Sequence, residues 1–110
     1  MIFITGPLFA GKQAYIMKTL GLSEKEWEER GVRDVEELCR EKMSEEELSA
    51  LAGRLSQKEI VIATEVGGGV VPASSEERLF REQAGRLSCL LAERAQRVIR
   101  VICGLPQELK

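Results

Sequence analysis

Short apolar strands alternating with amphipathic helices predict an α/β domain: a small parallel sheet of about three strands, with helices on both faces. Three runs carry that reading: Ile2-Phe3-Ile4-Thr5, Glu59-Ile60-Val61-Ile62-Ala63-Thr64 and Val98-Ile99-Arg100-Val101-Ile102-Cys103. Each is rich in β-branched residues, too short for an ordinary helix, and followed closely by glycine. The stretches between them place apolar residues at helical spacing. Strand–helix–strand order calls for right-handed crossovers and parallel pairing. At 110 residues the chain fits a single domain, read as 1–110.

The elements follow in order. The first strand stops at Gly6-Pro7. A helix then runs from Gly11 to Leu20, with Ile16, Met17 and Leu20 inward and Gly21 as its stop. Three capping-box patterns, Ser23/Glu26, Asp34/Glu37 and Ser44/Glu47, predict helices over 24–30, 35–42 and 45–55. The last is reinforced by Leu48, Leu51, Ala52 and Leu55 at i, i+3, i+4 and i+7. The second strand ends at Gly67-Gly68-Gly69, after which Pro72 precedes Ser74, an N-cap with Glu77 three residues on. A long helix over 75–95 carries Phe80, Ala84, Leu87 and Leu91 in one stripe. Gly104-Leu105-Pro106 closes the third strand.

Charge is unevenly spread. Residues 22–60 hold 12 acidic and 7 basic side chains, so 21–58 reads as a solvated, insert-like helical segment. The formal net charge of −2 argues against nucleic acid as a partner, since phosphate binding shows as a basic excess. No apolar run approaches the ~20 residues of a membrane span, and the apolar start at Met1–Ile4 is too short for a secretory signal. Cys39, Cys89 and Cys103 are odd in number and form no Cys-x-x-Cys pair. They read as buried, free thiols in a reducing cytoplasm. With no histidine, zinc sites of Cys/His type and Ser/His or Cys/His nucleophiles are excluded.

Gly6-Pro7-Leu8-Phe9-Ala10-Gly11-Lys12 fits G-x-x-x-x-G-K between the first strand and the first helix, the setting a phosphate-binding loop requires. In such a loop the glycines let backbone N–H groups turn around phosphate oxygens. The helix N-terminus favours the anion, and the lysine, here Lys12, reaches the terminal phosphates. The next residue is normally Ser or Thr, whose hydroxyl holds Mg²⁺; here it is Gln13, a longer and poorer ligand. Leu8 and Phe9 stand where solvent or nucleotide belongs, or cap the small core. A Gly-Pro turn before an ordinary helix start fits the same residues.

Glu65 lies at the carboxyl end of the second strand, where parallel sheets form sites. It reads as a metal-water ligand or general base beside the loop, or as a charged strand end before a turn. Arg78 and Arg81 occupy the first turns of the long helix, on the loop's side of the sheet. They neutralise phosphate, or form a solvated face paired with Glu77 and Glu82. Trp27 and Tyr15 read as packing residues.

The string Thr64-Glu65-Val66-Gly67-x-Gly69-Val70-Val71-Pro72 is followed by Arg78-x-Phe80-Arg81-Glu82-x-x-Gly85, then Ala92, Val98 and Gly104-x-Pro106. Together they resemble the carboxy-terminal half of the adenosylcobinamide kinase/adenosylcobinamide-phosphate guanylyltransferase family, enzymes of cobalamin assembly that also begin with a strand and a phosphate loop. The resemblance covers 1–20 and 59–110, and 21–58 hardly at all. Departures are Thr64 for the usual Asn, Glu82 for Asp, and Ser88-Cys89 for an Asn-Gln pair. The family's guanylyl transfer runs through a modified histidine, which this sequence lacks. Relatives also have a longer middle with additional strands, one bearing an acid that helps hold Mg²⁺. Glu36-Glu37-Leu38-Cys39 is a faint counterpart of that segment, against which the capping pattern favours a solvated helix.

The resemblance implies a reduced P-loop NTPase-like three-layer fold with strand order 59–65, 2–5, 97–103, the loop strand central and Glu65 near Lys12. The 59–65 strand would then be an edge, so either homo-oligomerisation through that edge or its capping by 24–55 is expected. It further implies a cytoplasmic protein binding ATP or GTP with Mg²⁺. Gly6, Gly11, Lys12, Gln13, Arg78 and Arg81 would hold the nucleotide, Gln13 and Glu65 the metal, and Lys12 and Glu65 would carry catalysis. Phosphorylation of adenosylcobinamide is the most such a chain would do. The alternative is an inactive homologue that binds nucleotide, corrinoid or a partner protein.

Overall fold

The computed structural model describes residues 1–66 and 74–110. Its sheet has five strands, not three: β1 (Ile2–Gly6), β2 (Gly31–Val32), β3 (Ile60–Thr64), β4 (Arg97–Ile102) and β5 (Leu105–Glu108). Their order is β2-β3-β1-β4-β5. The three strands expected from the sequence form its parallel centre, with β1 between β3 and β4. Both additions flank that centre. β2 pairs in parallel with β3 through two residues, too short a run to show a period. β5 folds back antiparallel on β4 after left-handed Cys103 and Gly104. Pro106 sits on this outermost strand, where a missing N–H is tolerated.

The helices are α1 (Lys12–Leu20), α2 (Glu24–Arg30), α3 (Glu45–Leu55) and α4 (Ser75–Arg94), with a 3₁₀ turn at Val35–Cys39. Strand side chains alternate between faces and divide the core in two. Ile4, Ile60, Ile62, Ile99 and Val101 pack with Ile16 of α1 and Trp27 of α2. On the other face Phe3, Val61, Ala63 and Val98 pack with the 3₁₀ turn, α3 and α4. The stripes expected on α3 and α4 are buried as expected. On α1, Ile16 is buried but Leu20 is exposed.

Ser23/Glu26 and Ser44/Glu47 form reciprocal capping boxes, and Ser74 Oγ accepts from the Glu77 N–H at 3.1 Å. Asp34/Glu37 does not. Asp34 adopts a left-handed conformation without a side-chain cap, Arg33 Nε lies 3.4 Å from its carboxylate, and the Glu37 carboxylate accepts from Arg40. The 35–42 helix contracts to the 3₁₀ turn, which turns Val35, Glu36 and Cys39 inward. Segment 21–58 is therefore not a solvated insert: Trp27, Val35, Leu48, Leu51 and Ala52 are core residues. It also covers the 59–65 strand, one of the two coverings expected for that edge, though by a strand and not a helix, since β2 flanks β3. Of the cysteines, Cys39 is buried as expected, whereas Cys89 and Cys103 are exposed.

Candidate functional site

β1 ends at Gly6 and α1 begins at Lys12, so the glycine–lysine loop spans the carboxyl end of the central strand. A Cβ on Gly6 would stand 2.2 Å from the Val101 carbonyl oxygen; only glycine lets β1 and β4 close there. Gly11 caps α1 with φ 83°, a conformation that favours glycine. The Gly104 N–H donates to the Ala10 carbonyl at 2.8 Å, and the Glu65 N–H to Gly6 at 2.9 Å, tying the loop to β4 and β3. Leu8 is 65% and Phe9 94% exposed; they do not cap the core but stand at the open pocket beside the loop.

Lys12 is buried, and its Nζ donates to the Pro7 carbonyl at 2.7 Å. The lysine thus folds back along its own loop. Burial pulls its pKa down, while the charges of Glu36, Asp34 and Glu65 oppose that pull. A pocket of ≈ 340 Å³ opens here, lined by residues 8–14 with Arg33, Asp34, Ile62 and Thr64. The start of α1 presents its unpaired N–H groups near this space, where an anion is favoured.

Gln13 lines the same pocket, but its amide is engaged. Its Oε1 accepts from Arg33 Nη1 at 2.8 Å, and its Nε2 faces Met17 Sδ at 3.5 Å. Glu65 stands apart from the loop pocket. It shares strand parity with Ala63, as Arg100 does with Val98, so both face α4. Its oxygens accept from Arg100 at 2.5 and 2.8 Å, which holds its carboxyl below the usual range. Its charge still reaches Lys12, without a contact between them.

Arg78 and Arg81 lie on α4, across the sheet from α1, and not on the face expected for them. Arg78 is exposed. Arg81 pairs with Glu77 at 3.1 Å and lines a separate pocket of ≈ 490 Å³ with Arg40, Glu76 and Phe80. There the Arg40 guanidinium sits 3.7 Å from the Phe80 ring centroid. The Gly67–Gly69 run, Val70, Val71 and Pro72 lie outside the described residues.

Three functional candidates come from outside the expected set. Glu36 is 5% exposed, and its Oε1 accepts from the Thr64 N–H at 2.8 Å. Burial pushes its carboxyl up, and the Thr64 N–H only partly offsets that. The acid–Cys segment thus places a buried carboxylate within electrostatic reach of Lys12. Arg33 follows β2 directly and enters the loop pocket. Arg100 was legible only as one polar position in an apolar strand.

These donors do not fit a divalent cation. Gln13 turns its one oxygen to a guanidinium, both Glu65 oxygens are held by Arg100, and the described residues contain no cluster of three or more metal-ligating side chains. Within the loop pocket Lys12, Arg33 and the first N–H groups of α1 suit an anion, and Asp34 opposes one. No helix among the described residues is long and apolar enough to cross a membrane.

Comparison with known proteins adds the ancestry. The family model described as cobinamide kinase / cobinamide phosphate guanyltransferase matches residues 14–109. That span runs through 21–58, the stretch where the sequence resemblance is faint. The bifunctional adenosylcobalamin biosynthesis protein CobP of Pseudomonas aeruginosa is 38% identical over 65 residues, which cover 59% of this chain and 38% of the relative. CobU of Escherichia coli K12, described in the same words, is 38% identical over 63 residues, covering 57% and 35%. The aligned part is thus well under half the length of either relative. With the family match extending over most of its residues, the chain belongs to the cobinamide kinase / cobinamide phosphate guanyltransferase family.

Proposed function

We propose that the chain binds the phosphates of ATP or GTP at the loop between β1 and α1, and serves adenosylcobalamin assembly in the cytoplasm. The observation that supports it best is the glycine–lysine loop at the carboxyl end of the central strand, with Lys12 buried against the Pro7 carbonyl beside an open pocket. On binding, Lys12 exchanges one carbonyl for phosphate oxygens, and the first N–H groups of α1 face the anion. Phosphoryl transfer relies on positioning and charge neutralisation. The reaction within reach is transfer of a terminal phosphoryl group to the hydroxyl of adenosylcobinamide, with cobinamide held near the loop. Histidine-dependent guanylyl transfer is not open to a sequence without histidine.

A second reading, an inactive homologue that binds nucleotide, corrinoid or protein without turnover, is favoured by the engaged side chains of Gln13 and Glu65. Calorimetric titration with ATP and GTP tests the shared claim. Binding should weaken about tenfold or more in Lys12→Ala, the loss of a charge-assisted contact, with circular dichroism confirming that the variant folds. Transfer of labelled γ-phosphate to adenosylcobinamide, abolished in Lys12→Ala, would support the kinase. Binding without transfer would support the second reading, and no binding would overturn the nucleotide site.

A further inference from the structure

We infer that this nucleotide site works without a divalent cation, the Arg33 guanidinium supplying the charge that a metal supplies in loops of this spacing. The inference rests on the proposed nucleotide binding and names how that site neutralises phosphate.

In a G-x-x-x-x-G-K-[ST] loop the residue after the lysine presents a hydroxyl to Mg²⁺, beside the terminal phosphates. Such an ion requires near-octahedral oxygen ligands at short range. At that position this chain has Gln13, and Gln13 Oε1 accepts from Arg33 Nη1 at 2.8 Å. A positive group thus already sits on the one side-chain oxygen the position offers. A cation bound at that oxygen would face the like charge of Arg33, and Asp34, the acid in the pocket lining, is already paired with that guanidinium.

The fold delivers Arg33 to this place. Gly31 and Val32 pair with Ile60 and Val61 in register, so the chain leaves β2 at the sheet edge and the next residue reaches the wall of the loop pocket. Asp34 anchors it from behind, with its carboxylate 3.4 Å from Arg33 Nε. The side chain is 61% exposed, free to turn from the glutamine amide to an incoming phosphate. A guanidinium stays charged at every relevant pH, and its planar fork matches two phosphate oxygens at once. Gln13 becomes a positioning residue: it holds the guanidinium over the pocket until the anion arrives.

The test is the affinity for GTP and ATP, measured by calorimetry in excess Mg²⁺ and in EDTA, for wild type, Arg33→Met and Arg33→Lys. Arg33→Met keeps the apolar stem and removes the charge. Wild-type Kd should agree within about threefold between the two conditions. Arg33→Met should raise it about tenfold or more in both, and Arg33→Lys should recover part of the loss. Wild-type binding that weakens about tenfold or more in EDTA would overturn the inference while leaving the nucleotide site standing. So would an Arg33→Met variant that binds as wild type does. Absence of binding by the folded wild type in both conditions would overturn the nucleotide site and this inference with it.

Discussion

Residues 6–12 and 21–58 meet at one pocket and reach it by different physics. The loop is local: a close backbone approach at Gly6, a left-handed turn at Gly11 and one folded-back lysine are held within a few residues of each other. It leaves its large apolar side chains, Leu8 and Phe9, in solvent. The acidic segment is non-local. It carries Trp27, Val35, Leu48 and Leu51 into two separate core clusters. It supplies the strand that flanks β3, and it sends Glu36 and Arg33 to the lysine's neighbourhood. The lesson is that net charge says little about burial. Here the acids other than Glu36 are exposed, most of them on helices whose other faces build the core.

The sharpest way to break this contrast is to truncate one large apolar residue in each region. Trp27 is 4% exposed and Phe9 is 94% exposed. Trp27→Ala should cost about 3–5 kcal/mol and lower the unfolding midpoint by roughly 12 °C or more. Phe9→Ala should stay within about 0.5 kcal/mol. Equal, small effects in thermal unfolding would return 21–58 to the status of a loose insert.

Gln83 sharpens the contrast next. Buried on α4, it donates through Nε2 to the carbonyls of Cys39 and Glu41 and accepts from the Met43 N–H. One amide thereby ties down the connection between the 3₁₀ turn and α3. Gln83→Leu keeps an apolar body but strands those backbone groups, at a cost of roughly 2–3 kcal/mol. Hydrogen exchange should locate the loosening at residues 39–43. A global loss without that local signature would show that Gln83 acts by packing alone.

The two acids near the loop then give opposite pH dependences. Glu36 has a raised pKa, caused mainly by burial. Its contribution is therefore complete below the unfolded carboxyl value of about 4.3 and is lost as pH rises through the folded value. Glu36→Gln can keep the Thr64 bond and carries no charge. It should match wild type in urea unfolding near pH 4 and be the more stable protein at pH 7; a less stable variant at pH 7 would show that the charge itself is needed for folding. Glu65 has a lowered pKa, caused mainly by Arg100. Its stabilisation is present above the unfolded value and disappears as pH falls through the folded one. Both partners are about one-third exposed, so Glu65→Gln should cost at most about 1 kcal/mol at pH 7. That is the smallest effect, and a larger one would mark the pair as a structural anchor of the strand ends.

Much of the fold was legible because its signals are short-range. The three central strands, the α3 and α4 stripes and two capping boxes are written within one or two turns of chain. β2 escaped because two residues carry no period, and β5 because Gly104-Leu105-Pro106 reads as a stop. The site divides the same way. Gly6, Gly11 and Lys12 follow from local spacing, whereas Arg33 becomes visible only once β2 is paired with β3. Glu36 was obscured by Asp34/Glu37, whose box spacing is correct but whose side chains take other partners. Glu65 was read at the carboxyl end of its strand and stands directly after Thr64, the last residue of β3. Its partner was hidden because strand parity, which turns it to Arg100 and α4, depends on the register of three strands.

The proposed phosphate site joins the loop to the acidic segment. The most direct measurement is an amide proton–nitrogen correlation spectrum of the 110-residue protein during titration with GTP. Shifts are expected at Ala10, Gly11, Lys12 and Gln13 together with Arg33 and Thr64, all absent in Lys12→Ala. Shifts confined to Arg40 and the start of α4, or no shifts at saturating nucleotide, would contradict it.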